Sequence, residues 1–130
     1  VDTVLVITTI INNLQSIVSR TISPFQSAVL SVTHIDVGNT WNVLPASGFF
    51  EGTIRTFDPD VRLSVIEQFT KVVEHTAEQF GAEVSISWGN SPKVTFNDST
   101  LTPLIFEHSK TFAEVIDNVL YLLDYYAGEK

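Results

Sequence analysis

The chain has 130 residues, 44% hydrophobic and 17% charged, so it is long enough for one folded domain and too apolar to be disordered. Fifteen acidic and seven basic residues give a formal charge of −8, which excludes nucleic acid and an anionic membrane as favoured partners. The absence of cysteine excludes thiolate chemistry but does not indicate a compartment. The longest apolar run, Val4 to Ile11, is far shorter than the roughly 20 residues of a spanning helix, and we expect a cytoplasmic location.

The first predicted element is an amphipathic helix over residues 3–20, with Asp2 as its candidate N-cap. Apolar side chains recur there at three- and four-residue steps, and Ile10 and Ile17 widen the stripe. The core-facing positions are expected to be Val4, Ile7, Ile11, Leu14 and Val18. The dipeptide Ser23-Pro24 ends the element.

Two strands are predicted next, over residues 27–37 and 48–57, because both runs are rich in β-branched or aromatic residues. Alternation in the first strand puts on one face Ala28, Leu30, Val32 and His34. Alternation in the second puts on one face Phe49, Glu51, Thr53, Arg55 and Phe57, with Phe50, Gly52 and Ile54 on the other. About ten residues link the strands, which favours an antiparallel pair with a long, functional turn.

A second helix, from about residue 59 to 80, has the clearest boundaries. Asp58 is the expected N-cap, Pro59 suits the first helical position, and Gly81 supplies a left-handed stop. Its core face is predicted to carry Val61, Val65, Phe69, Val72, Val73, Thr76 and Phe80.

Residues 82–88 alternate as a third strand, and Lys93 to Phe96 suggest a short extended segment after a turn. The inward side chains of the third strand are expected to be Val84, Ile86 and Trp88. The chain looks helical again from Leu101. The order of elements indicates an α+β two-layer sandwich with helices on one face of a small, mostly antiparallel sheet.

The residues provide no recognisable catalytic constellation. No serine lies in a Gly-x-Ser-x-Gly elbow, and no glycine-rich phosphate loop is present. His34 and Asp36 share a strand face, but two ligands are too few for a metal site. An ordinary surface role is favoured for His34, for His75 on the second helix and for His108 near the end of the chain.

The stretch Gly38–Pro45 places Trp41 and Asn42 at the tip of the turn between the two strands. The structural interpretation is that Trp41 covers a sheet edge and Asn42 shapes the turn through its own side-chain hydrogen bonds. Arg55 and Glu51, on one strand face, are most simply a surface ion pair, which contributes about 0–1 kcal/mol.

The chain resembles the zinc-dependent amidohydrolases of the aminoacylase–carboxypeptidase metallopeptidase family from about residue 3 to 100. The motifs that carry the resemblance are Leu14–Arg20, Asn42–Pro45, Glu51–Phe57, and Asn97-Asp98 after Gly81-Ala82-Glu83. The branch it is most similar to holds hippurate hydrolases, N-acetyl-diaminopimelate deacetylases and auxin-conjugate hydrolases. The similar part of these enzymes is their lid, or dimerisation, domain of ferredoxin-like α/β type.

The resemblance implies that residues 1–100 form a lid domain and that residues 101–130 form a helical tail, interpreted as a remnant of the catalytic domain. It implies a homodimer and a catalytic domain as partners, with lid residues of one subunit reaching the active site of the other. Asn42 matches the asparagine of the family's Asn-Val-Ile-Pro motif, which is expected to face substrate. Leu44 replaces the isoleucine of that motif. Arg55 matches the family's strand arginine, so both residues are candidate substrate contacts in trans.

The chain also departs from the family pattern. The family's metal ligands lie in the catalytic domain and have no counterpart here. The resemblance therefore implies two zinc or manganese ions for the parent enzyme, none for this chain, and no activity of the chain alone. The lid's usual first strand would lie upstream of Val1, so we expect a sheet without it. The alternative is a stand-alone α+β module for self-association or binding, with no catalytic role.

Overall fold

The computed structural model describes residues 1–90, 92 and 98–109. The chain divides into two compact units, Val1–Ser91 and Pro92–Lys130. The first unit contains helix α1 (Thr3–Ser16), a π-helical turn (Ile17–Thr21), strands β1 (Ala28–Val37) and β2 (Gly48–Thr56), and helix α2 (Pro59–Gln79). The second contains helix α3 (Leu101–Ser109). This is the α+β fold that the order of elements predicts.

Helix α1 begins at its predicted cap, because the Asp2 carboxylate accepts a hydrogen bond from the Leu5 amide at 3.1 Å. Its buried stripe differs slightly from the prediction, since Val4 is 40% exposed and Val6 is buried instead. The buried residues of α1 and the following turn are Val6, Ile7, Ile10, Leu14 and Ile17. The α-helical geometry ends at Ser16, and the rest of the predicted helix is the wider π-helical turn.

Strands β1 and β2 form an antiparallel pair, in register from Ala28 opposite Thr56 to Val37 opposite Gly48. A β-bulge interrupts the register between Val32 and His34, where residue 33 is the extra residue. The bulge reverses the alternation of side chains beyond that point.

The bulge corrects one sequence prediction. His34 lies opposite Glu51 on the outer face of the sheet, rather than on the face of Ala28 and Leu30. The predicted faces of β2 are confirmed, because Phe50 and Ile54 pack against the core.

Both long helices cover the same face of this sheet. The most buried side chains are Leu14 of α1, Ile17 of the π-helical turn, and Val65 and Val73 of α2. Leu30 and the inner residues of β2 pack against this cluster. The predicted ends of α2 are confirmed: the Asp58 carboxylate accepts from the amides of residues 60 and 61, a proline follows it, and Gly81 has a φ of 68°.

The predicted third strand at residues 82–88 is wrong. Among the described residues the sheet has two strands, and residues 82–90 lie in neither a helix nor a strand. Ala82 and Ile86 pack against the core, and the Trp88 ring meets Phe69 at 5.2 Å, whereas Val84 is 42% exposed. A strand needs a neighbour for its backbone hydrogen bonds, and alternation alone does not supply one.

In the second unit, the carboxylate of Asp98 caps α3 by accepting hydrogen bonds from the amides of Thr100 and Leu101, at 2.8 and 2.7 Å. The predicted return of helix at Leu101 is confirmed as far as residue 109. The predictions for Lys93 to Phe96 and for the tail beyond α3 lie outside the described residues. Within the described ranges, no helix is long and apolar enough to cross a bilayer.

Candidate functional site

The candidate site is the loop of residues 38–47, which joins β1 to β2, and its base is firmly anchored. The Thr3 hydroxyl donates a hydrogen bond to the Pro45 carbonyl at 2.7 Å and so ties the loop to the start of α1. Gly38 leaves β1 with a φ of 77°, which favours glycine. A Cβ on Gly48 would lie 2.7 Å from the Val37 side chain, so the backbones meet closely where β2 begins.

The tip of this loop projects into solvent. The Trp41 side chain is 94% exposed. The prediction that Trp41 has a structural role, covering a sheet edge, is therefore wrong. Asn42 is also exposed, and its Oδ1 accepts a hydrogen bond from the Thr40 hydroxyl at 3.2 Å. The Asn42 Nδ2 has no partner among the described residues. The tip therefore offers an indole ring and an amide donor to any molecule that approaches it.

A concavity of about 440 Å³ lies between this loop and the first turn of α1. Its wall is formed by Asp2, Val4, Val37, residues 38–41 and residues 43–45. Asn42 is not among the residues that line the concavity. The loop itself has no charged side chain.

Arg55, the other candidate substrate contact, lies exposed on the outer face of β2, opposite Val29. The predicted ion pair with Glu51 is wrong, because Glu51 Oε2 lies 2.8 Å from His34 Nδ1 across the strands. The His34 ring also meets the Phe49 ring edge-on at 5.4 Å. The β-bulge explains the difference, since it turns His34 toward Glu51. Arg55 makes no ion pair within the described part of the chain.

The fold does not bring Asn42 and Arg55 together. Asn42 lies beyond the end of the strand pair at Gly48, and Arg55 lies seven residues along β2. At about 3.3 Å per residue, that separation along the strand is about 23 Å. One small molecule therefore cannot contact both side chains of the same copy.

The described residues do not fit a metal centre. No group of three His, Cys, Asp or Glu side chains converges in residues 1–90, 92 and 98–109. His34 and Asp36 do share the outer sheet face, and His75 Nδ1 lies 3.7 Å from Glu78 Oε2 on α2. Glu51 lies beside His34, but in the described part of the chain these side chains do not converge on one point, so they do not fit the two ions that the resemblance implies for the parent enzyme.

Within the described ranges, the carboxylate of Glu67 has a shifted pKa. A hydrogen bond from Lys71 at 2.6 Å, together with the positive charge of that lysine, lowers the pKa of Glu67 below its usual value. The two residues are four apart on the exposed surface of α2. The shift therefore reflects an ordinary helix ion pair rather than a catalytic group.

Sequence reasoning missed two residues of this site. The contact between Thr3 and Pro45 joins residues 42 positions apart, and no local pattern signals it. Thr40 has a weak signal, because a threonine two residues before an asparagine in a turn often hydrogen-bonds locally.

The fold and the loop can now be compared with known proteins. No protein-family model matches the chain. It is 41% identical over 105 residues to N-acetyl-L-cysteine deacetylase of Bacillus subtilis strain 168, covering 80% of this chain and 25% of that protein. It is 34% identical over 100 residues to N-acyl-L-amino acid amidohydrolase of Geobacillus stearothermophilus, covering 75% of this chain and 27% of that protein.

A solved structure shows the same fold. It comes from methicillin-resistant Staphylococcus aureus, is described as that of an aminohydrolase, and superposes with a TM-score of 0.75 at 20% identity. The match covers 88% of this chain and 29% of that chain.

These observations define an α+β domain whose sequence matches one part of longer amidohydrolases and deacetylases. The chain is homologous to N-acyl amino acid amidohydrolases and deacetylases, and it spans about a quarter of the length of these relatives. The resemblance predicted from the Asn42–Pro45 and Glu51–Phe57 motifs is confirmed.

Proposed function

We propose that this chain is the lid and dimerisation domain of an enzyme that hydrolyses the amide bond of an N-acyl amino acid. The observation that carries the proposal is the loop of residues 38–47, whose base is tied down and whose tip presents Asn42 and Trp41 to solvent. A side chain held in this way can contact a ligand bound by another domain with little loss of conformational entropy.

In this proposal Asn42 donates a hydrogen bond from Nδ2 to an oxygen of the substrate in the active site of the partner subunit. The exposed indole of Trp41 packs beside the apolar part of the same substrate. The domain positions substrate and performs no bond-breaking step itself. The two zinc or manganese ions of the parent enzyme are bound outside this chain.

Arg55 is proposed as a second contact, made by the opposite end of the strand pair. Its guanidinium has no ion-pair partner among the described residues, so it is available to a carboxylate. Arg55 lies about 23 Å along β2 from Gly48, whereas Asn42 lies beyond the Gly48 end. Arg55 and Asn42 of one copy therefore serve different contacts.

The first experiment assays the chain alone with N-acetyl-L-cysteine and with zinc or manganese. We expect no hydrolysis above buffer, because the residues that the structure describes offer no ligand set for the ions. The Bacillus subtilis N-acetyl-L-cysteine deacetylase serves as the active control. Turnover that rises in proportion to the concentration of the chain would overturn the assignment as a non-catalytic lid.

The second experiment replaces the matched quarter of that Bacillus enzyme with this chain. We expect the chimera to hydrolyse N-acetyl-L-cysteine, and Asn42→Ala to lower its kcat/KM about 10- to 100-fold through loss of a hydrogen bond to substrate. Asn12→Ala is the matched control, since Asn12 is exposed on α1 and bonds only to the Thr8 carbonyl of its own helix. Equal activity of the two variants would contradict the proposed contact.

The third experiment tests dimerisation by sedimentation equilibrium of the chain over a wide concentration range. A reversible dimer is expected from the proposal. A strict monomer at high concentration would exclude the dimerisation role and favour a stand-alone binding module.

A further inference from the structure

We infer that Thr40 is a positioning residue for Asn42, and that it directs the amide donor of Asn42 toward an acceptor oxygen of the substrate. That oxygen belongs to the carboxylate or to the acyl carbonyl of an N-acyl amino acid. The inference rests on the proposed function, in which Asn42 contacts substrate, and adds the group that sets the direction of this contact.

A hydrogen bond joins the two side chains at the tip of the loop. The Thr40 hydroxyl donates to Asn42 Oδ1 at 3.2 Å, and this is the one hydrogen bond of the Asn42 side chain within the described residues. An exposed asparagine without such a bond rotates freely about χ2 and presents its oxygen or its nitrogen with similar ease. With Oδ1 engaged by Thr40, Nδ2 is the atom of the amide that is left to bond with a ligand, and it is a donor.

The loop around the Asn42 amide is uncharged. The loop of residues 38–47 contains no acidic side chain, although the whole chain carries a formal charge of −8. It contains no basic side chain either, so an anionic group there is recognised by neutral donors rather than by an ion pair. The direction of the Asn42 amide then decides whether an acceptor oxygen is bound.

The test uses the chimera with the Bacillus subtilis N-acetyl-L-cysteine deacetylase. Thr40→Val removes the hydroxyl and keeps the shape of the side chain, whereas Thr40→Ser keeps the hydroxyl. We expect Thr40→Val to lower kcat/KM about three- to tenfold and Thr40→Ser to stay near the unsubstituted chimera. Thr8→Val is the matched control, because the Thr8 hydroxyl bonds only to carbonyls of its own helix, those of Val4 and Leu5.

A double-substitution cycle separates positioning from a purely structural role. If Thr40 acts through Asn42, Thr40→Val has no further effect in the Asn42→Ala background, and the melting temperature is unchanged. An equal loss in both backgrounds would assign Thr40 to loop structure and overturn the inference.

The substrate contact of Asn42 and the positioning role of Thr40 are tested by different variants. If Asn42→Ala leaves kcat/KM unchanged, the proposed substrate contact is wrong. If Asn42→Ala is damaging while Thr40→Val behaves like Thr40→Ser, the contact stands and the role of Thr40 is refuted.

The source of the acceptor oxygen is distinguished with the methyl ester of N-acetyl-L-cysteine. A smaller Asn42→Ala penalty on the ester identifies the carboxylate as the acceptor, because the ester lacks its charge. An equal penalty on both compounds identifies the acyl carbonyl.

Discussion

Gly52 shows how one residue decides which chemical groups share the outer face of the sheet. It lies opposite Val32, next to the β-bulge, and a Cβ at this position would collide with the carbonyl oxygen of Ser31. The close approach of the two backbones allows the bulge, and the bulge turns His34 toward Glu51. The pair is well exposed, with side-chain exposures of 54% and 67%, so its direct contribution to stability is small.

Gly52→Ala should destabilise the chain by about 3 kcal/mol, because the obstructing atom is backbone and cannot rotate away. Gly89→Ala is the matched control, since a Cβ there would meet nothing within 4 Å. Urea denaturation followed by circular dichroism measures both free energies of unfolding. Similar values for the two variants would show that the strands separate at the bulge without strain.

At the level of elements, the two-stranded sheet depends on its helices. A pair of strands is marginally stable by itself in water, and here α1 and α2 cover its inner face. The π-helical turn after α1 keeps Ile17 almost fully buried, at 1% exposure, before the chain turns into β1. Leu14, with no exposed surface, belongs to the core that the helices form against the sheet.

Leu14→Ala should therefore lower the free energy of unfolding by about 3 kcal/mol, from lost burial and the cavity that remains. Leu63→Ala removes the same atoms from a side chain that is 62% exposed on α2, and we expect a loss below about 1 kcal/mol. Thermal and urea unfolding of the two variants provide the comparison. A loss at Leu14 as small as that at Leu63 would mean that the helices do not hold the sheet.

At the scale of the whole chain, electrostatics oppose the compact state. The formal charge is −8, and the Lys71–Glu67 ion pair is exposed, as are the contacts His34–Glu51 and His75–Glu78. Exposed pairs contribute little, whereas repulsion between like charges acts over a Debye length of about 30 Å at 0.01 M salt.

Raising NaCl from about 0.01 M to about 0.3 M should stabilise the chain by roughly 1 kcal/mol, because screening shortens the range of this repulsion. The urea midpoint at pH 7 measures the change, since urea is uncharged. KCl at the same ionic strength should produce the same shift. A midpoint that falls with salt would show that attractive pairs outweigh the net charge.

Local chemistry allowed much of the fold to be predicted from sequence. The caps at Asp2 and Asp58, the proline at the start of α2 and the glycine after it act within a few residues, so they are visible in the sequence. The α+β class follows from the order of elements, and the motifs around Asn42 and Arg55 identified the homologous enzymes.

The tertiary structure decided what depends on residues distant in sequence. Residues 82–88 alternate like a strand but lie in no strand, because a β-ladder needs a neighbouring strand to bond with. The bulge places His34 on the outer face because the backbones of β1 and β2 meet at Gly52. The sequence of one strand alone does not indicate a contact between two strands. The hydrogen bond from Thr3 to Pro45 fixes the loop across 42 positions, and so the exposure of Trp41 and Asn42 followed only from the folded chain.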